Sequence, residues 1–331
     1  MTLRIGLLGA GRIGKVHAGA VAATTGAQLV AVADVIPAAA KVIAEASGAT
    51  VRTIDEIIVS NDVDAVLITT PTDMHADLIE RAAKAGKKIF CEKPIDIDVA
   101  RVRRCLKVVE RTGALLMVGF NRRFDPHFVE LKRRIDAGAV GDIEMVQIVS
   151  RDPGPPPADY ITRSGGMFRD MTIHDFDMAR FILGEEPVTV SATASVLVDP
   201  NIGKLGDVDS AAIVLQTASG RIAIISNSRR ATYGYDQRVE VHGSLGMARA
   251  ENPLPSTVET ANASGYTTDP LQPFFMTRYT AAYAAEIAAF VAAATGTGDV
   301  SPNGNDGLRA LLLADAAVRS AASGRAVRVP T

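Results

Sequence analysis

The sequence has few cysteines, little net charge and no long apolar run, and each of these absences excludes a class of protein. Only Cys91 and Cys105 occur among 331 residues, so we expect no disulfide framework and no metal cluster. The formal net charge of -2 gives no general attraction to nucleic acid or to an anionic membrane. No stretch reaches the roughly 18 uncharged apolar residues that span a bilayer. Even the alanine-rich run 281–294 contains Glu286 and predicts a packed helix.

The remaining composition is that of an ordinary globular protein, with 47% hydrophobic and 22% charged residues. A chain of 331 residues exceeds the usual size of one core and predicts two domains. The N-terminus enters an apolar strand at once, without a signal-peptide pattern. We therefore expect a cytoplasmic protein that binds no nucleic acid, no membrane and no metal.

The first apolar segment leads into a glycine-rich turn that is typical of dinucleotide-binding domains. Strand 3–8 runs into Gly9-Ala10-Gly11-Arg12-Ile13-Gly14, and a helix is predicted over 12–24. In this pattern the first glycine permits a tight turn, the second lets the backbone approach a pyrophosphate, and the third allows close helix packing. The pyrophosphate would lie on the helix N-terminus, where N–H groups and the helix dipole favour negative charge. Taken alone, the pattern also suits a strand-to-helix turn without a ligand.

A carboxylate after the second strand favours NAD as the dinucleotide. Asp34 ends the apolar strand 29–33, twenty positions after Gly14, where an acidic side chain binds the ribose hydroxyls of NAD. The next residues, Val35-Ile36-Pro37, include no arginine or lysine. A 2′-phosphate would therefore meet a carboxylate and no adjacent cation, although Arg12 is close enough in sequence to reach a phosphate.

Strand and helix segments alternate through the first 121 residues. Near-continuous apolar strands are typical of a parallel sheet that helices cover on both faces. After this point the sequence predicts a helix over 128–137, a strand over 143–149 and a helix over 171–183. Strands with period-two patterns then follow one another, as in an antiparallel sheet with one polar face. We predict an α/β chain with a Rossmann NAD-binding domain over 1–121. A substrate-binding and oligomerisation domain over 122–331 would be built on a large, mainly antiparallel open sheet, with closing helices near 275–294 and 305–322.

Several candidate site residues follow predicted strands, where ligands of open α/β sheets bind. Glu92-Lys93-Pro94 directly follows one strand, and Lys93 would stabilise an alkoxide developing on a substrate alcohol. The alternative is a surface lysine in a turn. Thr70-Pro71 follows another strand, and His75 lies near the expected nicotinamide. The candidate cofactor contacts are Gly9, Gly11, Arg12, Ile13, Gly14, Asp34, Thr70, Pro71, His75, Glu92 and Lys93.

A carboxylate and an imidazole occur at helical spacing in the second half of the chain. Asp170 and His174 are four positions apart in a predicted helix, which places both on one face. A carboxylate beside an imidazole holds its tautomer and stabilises the charged form after it accepts a proton. The alternative is an N-cap aspartate followed by an ordinary surface histidine.

Four further residues are candidates for contact with a polyol. Arg123 follows the last parallel strand, Asp152 precedes the stiff loop 153–157, and Tyr233 and Tyr235 offer phenol hydroxyls. The tyrosines equally suit packing at an interface. The other histidines are interpreted as structural or solvent-facing; they are His17, His127 and His242.

The glycine turn, Glu92-Lys93-Pro94 and Asp170-x-x-x-His174, in this order, resemble the Gfo/Idh/MocA family of NAD(P)-dependent sugar and polyol oxidoreductases. Within the family, segments 119–125 and 165–177 and the proline-rich loop resemble the inositol dehydrogenases. The resemblance implies that the open sheet of the second domain carries oligomer contacts, commonly in a tetramer.

The resemblance also implies residue roles. His174 would be the general base, Lys93 would hydrogen-bond the reacting oxygen, and Asp170 would orient the substrate and His174. Lys93 and Pro94 would be joined by a cis peptide bond. The substrate contacts would be Lys93, Arg123, Asp152, Asp170, His174, Tyr233 and Tyr235.

The expected activity is NAD-dependent oxidation of a polyol ring hydroxyl, from myo-inositol to scyllo-inosose. One alternative is an NAD(P)-dependent dehydrogenase of another inositol isomer or of an aldose such as glucose. Another is an NAD-binding regulatory protein without turnover, since a fold does not fix a function.

Overall fold

The computed structural model describes residues 2–330, which form two compact units. The first unit runs up to Asp125 and takes in Thr280–Leu311, and the second comprises Pro126–Tyr279 and the chain from Leu312 onward. The first unit thus contains a segment that the sequence assigns to the second domain. The physical reason is packing: the Tyr283 ring lies 5.5 Å from His17, and the Phe290 ring lies 5.7 Å from Phe90. Sequence order alone carries no sign of this return.

The sheet of the first unit has six parallel strands in the order β3-β2-β1-β4-β5-β6. This is the Rossmann order, which confirms the predicted fold. The strands are β1 Leu3–Leu8, β2 Ala27–Ala33, β3 Thr50–Val51, β4 Ala65–Ile68, β5 Lys88–Glu92 and β6 Leu116–Gly119. The helices are α1 Arg12–Ala23, α2 Pro37–Ser47, α3 Ile54–Val59, α4 His75–Lys84 and α5 Val99–Thr112. Short 3₁₀ helices lie at Thr72–Met74 and Asn121–Phe124.

The strand order reverses at β1, which lies between β2 and β4. In open parallel sheets the ligand crevice forms outside the carboxyl ends of the strands at this reversal. The residues after β1, β2, β4 and β5 therefore meet at one edge of the first unit.

The sheet of the second unit has seven strands in the order β12-β11-β7-β10-β9-β8-β15. Its neighbours pair antiparallel except β7 and β10, which pair parallel. A parallel pair needs a long crossover, and helices and other strands lie between these two in sequence. The strands are β7 Ile143–Arg151, β8 Pro187–Ser195, β9 Ser210–Thr217, β10 Ile222–Ser228, β11 Asp236–Gly243, β12 Gly246–Ala250 and β15 Val327–Arg328, beside a separate hairpin of β13 Glu259–Asn262 and β14 Gly265–Thr268.

Helices precede and follow these strands. The predicted helix around Asp170 is divided into two, because α8 ends at Asp170 and α9 begins at Thr172. The sequence did not predict β12, the β13–β14 hairpin, or the short helices α7 and α10. The helices are α6 Pro126–Asp136, α7 Ala158–Ser164, α8 Met167–Asp170, α9 Thr172–Leu183, α10 Pro200–Lys204, α11 Phe275–Arg278, α12 Thr280–Ala294 and α13 Gly304–Ser323. Between residues 2 and 330, no helix has both the length and the apolar character to cross a bilayer.

Candidate active site

The three glycines of the first turn meet different surroundings. A Cβ on Gly9, whose φ is +106°, would lie 2.6 Å from the Thr69 carbonyl oxygen. A Cβ on Gly14 would lie 2.2 Å from the Gly9 carbonyl oxygen. Gly11 has open space within 4 Å of its Cβ position. Gly9 and Gly14 therefore build the turn, whereas Gly11 leaves room for a ligand.

The N-terminus of α1 is available to an anion. Gly11 is the N-cap residue, no side chain caps the helix, and its first turn contains no acidic residue. Arg12 is exposed and Ile13 half-buried at this end. Free N–H groups and the helix dipole together favour a pyrophosphate at such a position, so these residues fit a dinucleotide.

Asp34 lies directly beside the glycine turn. One carboxylate oxygen accepts a hydrogen bond from the Ala10 N–H at 2.6 Å, and the other accepts from the Ile36 N–H at 2.7 Å. Each oxygen retains a further acceptor site, so the carboxylate is oriented and can still accept from ribose hydroxyls. Val35 and Ile36 are 85% and 61% exposed, which leaves an apolar surface beside the acid.

His75 connects the loops that follow β4 and β5. Its Nδ1 lies 2.8 Å from the Pro94 carbonyl oxygen, and its Nε2 lies 2.8 Å from the Thr70 carbonyl oxygen. Burial lowers the pKa of His75, although both carbonyl contacts raise it. His75 therefore fixes the backbone around Lys93, while Pro71 is exposed at the tip of its loop. The Lys93–Pro94 peptide bond is cis, as the resemblance implies.

Glu92 is buried against His17, which sequence reasoning had left without a role in the site. His17 Nε2 lies 2.7 Å from one Glu92 carboxylate oxygen, and the other oxygen accepts from the Lys93 N–H at 3.3 Å. Burial alone would raise the pKa of Glu92, but the hydrogen bond and charge of His17 outweigh it, and the pKa is lowered. The pair thus anchors the residue that precedes Lys93.

Arg123 has an intramolecular partner in the first unit. Its guanidinium lies 3.0 Å from the Asp306 carboxylate, and both side chains are largely buried. The neighbouring Arg122 is buried. This geometry favours a structural role for Arg123, and its contact with substrate stays a prediction.

The second unit places Asp170 at the end of α8 and His174 in the first turn of α9. The Asp170 carboxylate accepts a hydrogen bond from the Tyr160 hydroxyl at 2.8 Å. The His174 N–H bonds to the Met171 carbonyl oxygen at 3.3 Å, which keeps the backbone tightly coiled across the junction. The two predicted catalytic side chains are therefore presented on consecutive helical turns.

Two residues of β10 and its end support this region, and sequence reasoning missed both. Asn227 is buried, accepts from the Thr172 hydroxyl at 2.7 Å and donates to the Asp175 carboxylate at 2.8 Å. Arg229 is buried and lies 3.8 Å from the Asp170 carboxylate. A polar residue inside an apolar strand was the available signal for Asn227.

The remaining substrate candidates differ in exposure. Asp152 is half-buried, and its N–H bonds to the Ser228 carbonyl oxygen at 3.0 Å. The exposed Tyr233 donates its hydroxyl hydrogen to Asp236 at 2.8 Å and accepts from Arg151 at 3.0 Å. Tyr235 is buried, with its ring 5.9 Å from that of Tyr279. Substrate contact by these residues stays a prediction.

The fold and this site define a dehydrogenase of the NAD-binding Rossmann class. Residues 3–120 match the model of an oxidoreductase family with an NAD-binding Rossmann fold, and residues 128–249 match the GFO/IDH/MocA C-terminal domain. The chain therefore belongs to the Gfo/Idh/MocA oxidoreductase family, as its motifs indicate, and NAD is its cofactor.

Relatives match over the full length of the chain. The chain is 66% identical to an inositol 2-dehydrogenase of Rhizobium meliloti (strain 1021), covering 99% of this chain and 100% of the relative. A crystal structure of a myo-inositol dehydrogenase from Corynebacterium glutamicum ATCC 13032 matches with a TM-score of 0.96 at 45% identity and covers 100% of each chain. A scyllo-inositol dehydrogenase from Lactobacillus casei, with bound NAD(H) and scyllo-inositol, matches with a TM-score of 0.93 at 32% identity and 100% coverage of both chains.

Proposed function

We propose that the protein is an NAD-dependent inositol 2-dehydrogenase that oxidises myo-inositol to scyllo-inosose. The observation that carries this proposal is the full-length match to inositol 2-dehydrogenases in a chain that retains Asp34, Lys93, Asp170 and His174. The open space at Gly11 and the uncapped start of α1 support the cofactor assignment.

Different residues are assigned to binding the cofactor and to transferring the proton. The glycine turn and the α1 N-terminus would hold the pyrophosphate, and Asp34 would accept hydrogen bonds from the ribose. Bound NAD would supply the acceptor for the hydride that leaves the carbinol carbon. His174 takes the proton of the reacting hydroxyl, Lys93 donates a hydrogen bond to the same oxygen, and Asp170 orients His174 and the substrate. The carbinol thereby loses one hydride and one proton and becomes a ketone.

The test is spectrophotometric. Purified protein is mixed with NAD and myo-inositol, and reduced nicotinamide is followed by its absorbance; the assay is repeated with NADP, scyllo-inositol and glucose. We expect the highest kcat/KM with NAD and myo-inositol. A strong preference for glucose over every inositol, or for NADP, would favour a different sugar dehydrogenase. No reduction with any of these would favour the regulatory alternative.

We also propose that the protein is a cytoplasmic homotetramer. Support comes from one face of the second unit's sheet, on which strand register places the exposed apolar side chains Met145, Val214 and Met247. Association would bury such a surface. Light scattering after size-exclusion chromatography should give four times the chain mass, and a monomer mass would contradict the proposal.

A further inference from the structure

Arg229 is a buried cation that lies between two carboxylates in the second unit. Its side chain is 1% exposed, and its Nη2 lies 3.3 Å from the Asp207 carboxylate and 3.8 Å from the Asp170 carboxylate. Asp207 also accepts from the Met167 N–H at 2.9 Å. Arg229 therefore connects the start of α8 with its last residue.

The Asp170 carboxylate is held from two sides. Arg229 faces Oδ2, and the Tyr160 hydroxyl donates to Oδ1 at 2.8 Å. Tyr160 belongs to α7 and is 44% exposed, whereas Arg229 follows β10 and is buried. Two separate elements thus fix which way this carboxylate faces.

Stability does not account for the placement of Arg229. Arg180, a second buried arginine, donates from Nε and Nη2 to the Glu186 carboxylate at 2.6–3.0 Å and also contacts Asp177. The Nε–H of Arg229, by contrast, has no hydrogen-bond partner among the described residues. A buried cation with an unsatisfied donor is a poor stabilising element, so its placement calls for an explanation besides stability.

We propose that Arg229 is a positioning residue for the oxidation, which holds the Asp170 carboxylate in the orientation that His174 and the substrate hydroxyl require. The inference rests on the proposed function, because it takes Asp170 as part of the catalytic site. Arg229 is 1% exposed and acts through Asp170.

The test compares Arg229→Met, Arg229→Lys and Tyr160→Phe with Arg180→Met as the matched control. We expect Arg229→Met to lower kcat by about 10- to 100-fold, since misplaced catalytic groups have effects of this order. Arg229→Lys should recover part of this loss. The KM for NAD should stay within about twofold throughout, because the NAD-binding residues belong to the other unit. Arg180→Met should lower the melting temperature and leave kcat unchanged.

Because Arg229→Met leaves two carboxylates without their cation and risks unfolding, the double variant Arg229→Lys/Tyr160→Phe provides a second measurement. If both residues hold one carboxylate, their effects on log kcat are not additive. Additive effects, or a folded Arg229→Lys with wild-type kcat, would overturn the proposal.

A crystal structure of Arg229→Lys gives a readout that does not depend on activity. We expect the Asp170 carboxylate to be displaced from its wild-type position, in keeping with the partial loss of kcat. An unchanged carboxylate would contradict the inference. The proposed function is judged separately, by the substrates of the wild-type protein.

Discussion

The candidate residues of the two units are positioned in different ways. In the first unit, the candidate cofactor residues lie at or beyond the carboxyl ends of strands of one parallel sheet, and the loops after neighbouring strands support one another: Asp34 contacts Ala10, and His75 contacts Thr70 and Pro94. In the second unit, Asp170 depends on Arg229, 59 positions later in the sequence. A parallel sheet brings strand ends together by its topology alone, whereas Asp170 in the second unit lies at a helix end and is oriented by particular side-chain contacts.

The largest effects should come from the proposed chemical groups, one in each unit. Lys93→Ala and His174→Ala are each expected to lower kcat by about 10²–10⁴-fold, the usual range for positioned acid–base groups. The exposed Lys84 and His127 supply matched controls, Lys84→Ala and His127→Ala, which should retain wild-type kcat. Steady-state kinetics with NAD and myo-inositol measure kcat for the site variants and for the controls. Unchanged turnover in either site variant would remove that residue from the catalytic assignment.

Asp34 should have the next largest effect, confined to the cofactor. Asp34→Ala is expected to lower kcat/KM for NAD by about 10- to 100-fold, because hydrogen bonds to charged groups contribute about 1.5–3 kcal/mol. Asp34→Asn keeps one acceptor oxygen and should lie between Asp34→Ala and the wild type. The ratio of kcat/KM for NAD and NADP should fall in both variants, while the surface variant Asp136→Ala should leave it unchanged. A constant ratio would mean that Asp34 does not select the cofactor.

Substitutions at Gly14 and Gly11 distinguish a glycine that the turn requires from a glycine that leaves room for the ligand. Gly14→Ala should destabilise the protein by about 1–3 kcal/mol through overpacking, since its Cβ would lie 2.2 Å from a carbonyl oxygen. Gly11→Ala should leave the melting temperature unchanged and raise the KM for NAD several-fold. Differential scanning fluorimetry and kinetics distinguish the two. Equal loss of stability in both variants would contradict the assignment of Gly11 to the ligand.

The smallest effect concerns the buried pair of Glu92 and His17. Because the pKa of Glu92 is lowered in the folded protein, its contribution is present above the ordinary glutamate pKa of about 4.3. The contribution is lost as the pH falls through the lower folded value. Glu92→Gln should therefore flatten the fall of the melting temperature on the acid side of that pH. The exposed Glu110→Gln should keep the wild-type dependence of the melting temperature on pH. An equally steep dependence in Glu92→Gln would contradict a stabilising role for the pair of Glu92 and His17.

Local chemistry explains how much the sequence could predict. The glycine turn, Asp34 and the alternation of strands and helices are patterns within about 30 residues, and the family motifs tie Lys93, Asp170 and His174 to roles. The seven-stranded sheet was predicted as mainly antiparallel, but the parallel pairing of β7 with β10 depends on how a long crossover folds. The pairings of Arg123 with Asp306 and of Arg229 with Asp170 join distant segments. No period or spacing encodes such contacts.

The late return of Thr280–Leu311 to the first unit has a consequence for biosynthesis. Residues up to Asp125 leave the ribosome long before the segment that supplies Tyr283 and Phe290 to their core. At about 5–20 residues per second, the nascent nucleotide-binding unit waits roughly 10–30 s with an incomplete apolar core. During that interval its exposed apolar surface is accessible to chaperones. A chain that ended at residue 279 would lack the segment Thr280–Leu311 that completes this core.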